Sequence, residues 1–349
     1  MIFQFVPYWG DEEKKAVADV LESDFLNEHK VVREFEKEFA NYVGAKYCVT
    51  VTSGTIALYL AFHTRPDVKT WRIPVHDGIF AYNACLGTHH DPVLSDVDQH
   101  GLLSVGDDLH EGGTEDGDGL LLIQANGRVI APAFRNPKIE DCSQATHHHT
   151  PGYTSTYSFA STKHITTAGQ GGAICCDDKE TFDLLSRLKD HGRNDRQNLK
   201  PMSDTFDNWG MNFKFTEIQA AFGLAQLKGL DKRRERFSEI HSIYKDILGE
   251  LVLFDDIAPS WYIDIFTKNP QKIKDHLQTK NIATRLFPKP LFMQPIVDKG
   301  VREGEQDPSK FPMATARYNT GLYLPSTTNL TDEEVKQIAE SVVEAVRLQ

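Results

Sequence analysis

Residues 158–174 read SFASTKHITTAGQGGAI, one lysine between a serine-rich turn and a run of glycines. STYSF (155–159) before the turn and GAICC (172–176) after it have strand length, so Lys163 stands in a tight connection between two strands. Gly169, Gly171 and Gly172 let the backbone bend sharply and pack closely. A lysine in such a loop ordinarily carries a solvated charge. Three chemical roles compete with that one: phosphate binding, acid/base work, and covalent attachment to a cofactor. The surrounding chain decides among them.

Working outward, short apolar runs recur: KYCVTV (46–51), WRIPV (71–75), DPVLSDV (91–97), GLLLIQ (119–124) and PKIED (137–141). Several are apolar at odd and even positions alike, which predicts a largely parallel sheet buried on both faces. Cys175 and Cys176 then face opposite sides of one strand. DEEKKAVADVLES (11–23) and KVVREFEKEFANYVG (30–44) have helical periodicity; in the second, Val32, Phe35, Phe39 and Tyr42 share a face and Gly44 suits the stop. Further helical patterns cover 179–192 and a long segment from 215 to 244, with capping-box spacing at Thr216/Gln219 and again at Thr331/Glu334. The fold class is α/β: a large domain over 1–239 around the sheet, and a smaller C-terminal α/β domain over 240–349.

At 349 residues, with 40% hydrophobic and 25% charged content, the chain suits a soluble two-domain protein. A net charge of -12 argues against a nucleic-acid partner, which selects basic patches. The opening residues lack a basic, apolar leader and no run approaches a membrane span, so a cytoplasmic protein without membrane attachment is expected. Five cysteines, none in CxxC spacing, fit reduced thiols. Three adjacent histidines in THHHT (146–150) cannot easily share one centre, and no metal is expected there.

TSGTIAL (52–58) follows a strand and opens a helix, where amides and the hydroxyls of Ser53 and Thr55 can hold a phosphate or simply cap the helix. No GK[ST] follows a spaced glycine, so this is not a Walker loop. KIEDCSQA (138–145) ends a strand on two acids; Asp141 can face a bound cation while Glu140 points away, or either can be a turn acid. Phosphate cradle, strand-end aspartate and turn lysine, in that order on an α/β scaffold, are what a pyridoxal 5'-phosphate (PLP) site needs.

SGTIAL, EDCSQA, the lysine stretch, HGR, GMNFKFTEIQAAFGLAQL and LYLPSTTNLTDEEV stand in the order found in one family. The chain resembles the DegT/StrS-type PLP-dependent sugar-nucleotide aminotransferases, fold-type-I enzymes, and within them the perosamine synthase-like, 4-aminating branch. The resemblance implies that Lys163 is the Schiff-base lysine, cycling the cofactor between PLP and its aminated form, PMP. It implies that Asp141 pairs with the pyridinium nitrogen and that Gln144 lies near the ring. Gly54, Thr55 and Ser158 would contact the phosphate. Asn212 would reach the neighbouring subunit's cofactor in an obligate homodimer with shared sites. Gly78 occupies the place of the usual stacking aromatic, with Phe80, or less favourably Tyr82, as its substitute. Lys214 stands where an arginine is usual.

The implied reaction moves an amino group from glutamate to a 4-keto-6-deoxyhexose nucleotide, for polysaccharide biosynthesis. Arg193, Lys214, Arg285 and Lys289 are candidates for the substrate diphosphate, or ordinary surface charges. The KHITT run (163–167) resembles 4-aminating relatives, and Thr166 and Thr167 would form a pocket wall against the sugar, or merely cap the turn. The competing readings are a 3-aminotransferase, a 3-dehydratase in which a histidine replaces the lysine, another PLP reaction such as a desulfurase, and a non-catalytic sensor. Counting five residues from Ser158 puts the reactive position on Lys163 and not His164, which favours amino transfer.

Overall fold

Helix α2 (Lys30–Val43) has no side-chain cap of its own at His29 and ends at Gly44 in the left-handed region, φ 84°. Its first-turn amides, which have no acceptor inside the helix, are met by a carboxylate 185 to 188 residues away: Glu217 accepts from the amides of His29, Val31 and Val32 at 2.8, 2.9 and 2.9 Å. A long-range contact thus closes what the local sequence leaves open. The computed structural model describes residues 1–76, 78–104, 118–129, 138–194, 206–252, 261–298 and 307–348.

Seven strands form the central sheet: β1 (Tyr47–Val51), β2 (Thr70–Pro74), β3 (Asp91–Ser95), β4 (Asp118–Ile123), β5 (Lys138–Asp141), β6 (Thr154–Ser158) and β7 (Gly172–Cys176), in the order β1-β7-β6-β5-β4-β2-β3. The pairs β2–β3, β2–β4, β4–β5 and β5–β6 are parallel. Only β7 runs against the rest, pairing antiparallel with both β6 and β1. The sheet is therefore mostly parallel, as the two-sided apolar strands require.

Helix α1 (Asp11–Glu22), α2, α3 (Gly54–His63), α4 (Ile79–Gly87), α5 (Lys179–Leu188) and α6 (Glu217–Lys228) flank it. Cys48, Cys175, Phe35, Phe39 and Tyr157 pack on one face, while Val49, Val51, Ile174, Cys176 and Leu185 pack on another. Cys175 and Cys176 do face opposite ways, and all five cysteines are buried and unbridged.

The long helical segment breaks at Gly229 into α6 and α7 (Leu230–Leu248). Both expected capping boxes form, at Thr216/Gln219 and at the start of α10 (Asp332–Arg347). Before α10 come β8 (Ile263–Phe266), α8 (Pro270–Thr279), β9 (Arg285–Leu286), α9 (Pro312–Thr320) and β10 (Gly321–Leu324). The three strands make a second sheet, order β8-β10-β9. Ile240, Tyr244 and Leu248 of α7 join its core with Ile263, Leu322 and Val342, whereas Leu230 packs with the first.

Candidate active site

The site lies past the carboxyl ends of β1, β5 and β6, where an α/β sheet leaves a crevice. The lysine turn is closed by its own backbone: the amides of Phe159, Ser161 and Thr167 donate to Gly171, Gly169 and Phe159 at 2.8, 3.0 and 3.2 Å. Two of its residues, Ala168 (φ 60°) and Gly169 (φ 118°), are left-handed. Lys163 is half-buried, its amide donating to Ala160 at 3.0 Å.

Strand alternation separates the two acids of β5. Glu140 accepts from Ser155 Oγ at 3.1 Å and lies with Cys142 and Thr150. Asp141 is 1% exposed; its Oδ1 accepts from the Ser143 amide at 3.0 Å. Its other oxygen, Oδ2, is buried with no hydrogen-bond partner among the described residues. Burial pushes the Asp141 carboxyl up, against the lowering pull of Ser143 and the Lys163 ammonium. A buried, unfinished carboxylate oxygen suits a ligand that brings its own N–H cation.

The cradle at the start of α3 is built by close packing. Ser53 Oγ caps the helix by accepting from Ile56 at 3.2 Å, leaving the Gly54 and Thr55 amides at its open end. A Cβ on Gly54 would come within 2.7 Å of Ser158 Cβ, and one on Gly172 within 2.4 Å of the Ser53 carbonyl. Ser158 Oγ, 3.4 Å from the Ala160 amide, completes the cluster. These hydroxyls and helix-end amides suit a phosphate, and the primary amine of Lys163 suits an aldehyde. The residues therefore fit PLP.

A cavity of about 210 Å³ joins Lys163 and Gln144 to Gly78, Phe80, Trp261, Tyr262, Arg285 and Lys289. Gln144 Oε1 accepts from the Asn126 amide at 2.6 Å. Asn126, left-handed at φ 54°, clips the next segment in place: its Oδ1 accepts from the Tyr262 amide at 2.5 Å, and its Nδ2 donates to Tyr262 O at 2.7 Å and Asp264 Oδ1 at 2.8 Å. Arg128 adds a buried pair to Asp264 at 2.8 Å. A side chain at 78 has no room, since a Cβ there would lie 2.8 Å from the Pro74 carbonyl and 3.0 Å from Leu291. Phe80 lines the cavity, while Tyr82 is wholly buried in the core.

Of the four candidate cations, Arg285 and Lys289 are exposed at the cavity. Arg193 and Lys214 gather instead on buried Asp190, at 3.4 and 2.6 Å, next to exposed Asn212, which pairs with Asp190 in an isolated bridge. The threonine run corrects one expectation. Thr166 Oγ1 donates to Phe159 O at 3.1 Å and Thr167 Oγ1 to Gln170 O at 2.9 Å; both are buried and neither borders the cavity. They brace the lysine turn. His164 is also buried, edge-on to Phe237, with burial lowering its pKa to about 3. Among the described residues no cluster of histidines, cysteines and acids is arranged for a metal. Trp261, Tyr262 and Asn126 were not foreseen: an isolated tryptophan reads as core, and Asn-Gly reads as a plain turn.

The sequence profile of the DegT/DnrJ/EryC1/StrS aminotransferase family matches residues 7–109 and 128–343. The chain is 28% identical to the spore coat polysaccharide biosynthesis protein SpsC of Bacillus subtilis (strain 168), covering 98% of this chain and 96% of that one. It is also 28% identical to a GDP-perosamine synthase of Escherichia coli O157:H7, over 97% of each chain. Its fold matches Helicobacter pylori PseC, an aminotransferase involved in the biosynthesis of pseudoaminic acid, with a TM-score of 0.87, 21% identity and full coverage of both chains.

Proposed function

The chain belongs to the DegT/DnrJ/EryC1/StrS aminotransferase family, and on that premise we propose that it moves an amino group from L-glutamate to C-4 of a nucleotide-linked 4-keto-6-deoxyhexose. The product is a 4-amino-4,6-dideoxy sugar nucleotide. PLP is the cofactor; when bound it supplies an exchangeable carbonyl and a ring that accepts the electron pair of a carbon losing its proton. The observation that carries the reading is the unfinished, buried Asp141 Oδ2 within electrostatic reach of the Lys163 ammonium, which itself lines the cavity. Asp141 holds a proton on the ring nitrogen by charge in a dry site. Lys163 Nζ is the base that takes the donor's α-proton and returns it on the cofactor side. Gly54, Thr55 and Ser158 anchor the phosphate, and Phe80 and Gln144 confine the ring. Arg285 and Lys289, exposed at the cavity, hold the substrate diphosphate.

The choice of C-4 rests on the KHITT run and on the similarity to GDP-perosamine synthase. Thr166 and Thr167 act by bracing the lysine and not by touching sugar. Amino transfer is favoured over dehydration because Lys163 borders the cavity and His164 packs into the core. A homodimer is part of the proposal. Asn212, Lys214 and Arg193 lie beside exposed Phe206, Trp209 and Met211, an apolar patch suited to a second subunit whose phosphate Asn212 would reach. The cytoplasm is the proposed location; no helix among the described residues is long and apolar enough to cross a membrane.

The test is incubation with L-glutamate and GDP-, UDP- or dTDP-4-keto-6-deoxyhexose, with product NMR. A C-4 amine with 2-oxoglutarate is expected. Amination at C-3, or turnover only with a non-sugar ketone, overturns the assignment.

A further inference from the structure

The Lys163 ammonium nitrogen stands 3.6 Å from the centroid of the Trp261 ring, well inside the range in which a cation is attracted to an indole face. That face is fixed from three sides. The indole Nε1–H donates to the Thr162 carbonyl, the residue before the lysine, at 2.6 Å. Tyr262 stacks behind it at 4.1 Å, and the Trp261 carbonyl accepts from Ser326 Oγ at 2.7 Å. Trp261 is 7% exposed, so the contact is largely shielded from water, which strengthens it. Asn126 holds the adjacent Tyr262 backbone through both its amide and its carbonyl. A surface lysine meeting an aromatic by chance has no such scaffold.

We propose that Trp261 is a docking face for the released Lys163 side chain, stabilising its ammonium form after Nζ has taken up the donor's proton and until that proton is delivered. The inference rests on reading Lys163 as the amine that carries the cofactor. In the proton transfer, the C–H bond of the donor's α-carbon breaks, its electron pair passes to the cofactor, and an N–H bond forms at Nζ. The indole stabilises that protonated lysine until it delivers the proton. It also keeps the amine within reach of the carbonyl it must rejoin.

Among the groups described around Lys163, Asp141 attracts it but is kept for the ring nitrogen, His164 is neutral through burial, and Arg285 and Lys289 at the cavity carry the same charge. Tyr262 and Tyr323 border the same space.

The experiment uses the full-length, cofactor-free protein as wild type, W261F and W261M. Trace acetylation with acetic anhydride from pH 7 to 11, read on the Lys163 peptide by mass spectrometry, gives the ionisation of this one amine. Losing the face in W261M lowers the Lys163 pKa by about 0.5–1.5 units, making the amine roughly 3- to 30-fold more reactive at a fixed pH below its pKa. W261F, with a smaller face, falls between. A second measurement needs no change at Trp261: the indole emission of wild type minus that of K163M titrates with the Lys163 amine. A Lys163 profile unchanged in W261M, equal shifts in W261F and W261M, or a pH-independent emission difference overturns the docking role. Borohydride fixation of the cofactor to the Lys163 peptide tests the underlying reading separately, so the two failures are told apart.

Discussion

Glu217 and Asp141 are buried almost equally, at 2% and 1% exposure, yet the molecule treats them in opposite ways. Glu217 spends both oxygens on three amides at the start of α2. Nearby, Lys189 is matched as fully, 2.9 Å from Glu28, 3.1 Å from Glu36 and 3.1 Å from the Thr50 carbonyl. Asp141 accepts from an amide on one oxygen, and its other oxygen has no hydrogen-bond partner among the described residues. A buried charge whose bonds are complete holds elements together. One left incomplete is kept at a cost to the fold, and the cost is recovered when a ligand completes it. The Glu217 region is architecture; the Asp141 region is a socket.

The comparison breaks most sharply at the amine. Lys163→Ala should lower turnover by several orders of magnitude, since it removes both the base and the attachment point. It should cost the cofactor-free chain at most about 2 kcal/mol in urea unfolding, from loss of the Trp261 contact. Wild-type protein reduced with borohydride should carry the cofactor on the Lys163 peptide; label on another lysine would disprove the assignment.

At the architectural end the signs reverse. Glu217→Ala strips three charge-assisted bonds from α2 and should cost about 3–5 kcal/mol in urea unfolding, comparable to breaking a buried ion pair. Glu217→Gln, which keeps one acceptor oxygen, should cost less. A loss under about 1 kcal/mol in the alanine variant would mean that water or other groups replace those bonds.

Asp141→Asn sharpens the contrast, because it should damage turnover while stabilising the cofactor-free protein by about 1 kcal/mol at neutral pH. The sign follows from burial, which raises the folded carboxyl above its unfolded pKa. The folded state therefore prefers the protonated acid, so that stability is fully present below the unfolded pKa and lost as pH rises through the raised value. The asparagine variant escapes that loss. Its advantage should vanish in acid and grow toward neutrality, as pH-resolved melts can show.

The smallest effect at neutral pH belongs to His164, neutral in the core with a pKa lowered to about 3. Its contribution is complete above the unfolded pKa and falls away as pH drops from about 6.5 toward 3. His164→Asn should flatten the acid side of the stability profile. An unaltered acid limb would place the acid sensitivity elsewhere, with half-buried His147, lowered to about 4, next in line.

Much of this was legible in the sequence. Two-sided apolar strands dictate a mostly parallel sheet because both faces must be buried, and short-range rules dictate the capping boxes and the strand-end position of Asp141. The alternation that separates Glu140 from Asp141 needs only the period of a strand. What stayed hidden depends on groups distant in the chain. Glu217 caps a helix across 185 residues; Trp261 meets Lys163 from just before the second sheet's first strand, 98 residues along the chain; Arg193 and Lys214 turn to Asp190 and away from the cavity. The threonines after the lysine show the same limit: their type predicts a hydroxyl bond, but only the closed turn makes Phe159 and Gln170 the acceptors. Periodicity and capping act over a few residues and so are written locally. Whether a buried polar group is satisfied or left waiting is a property of everything packed around it, and only the tertiary structure decides that.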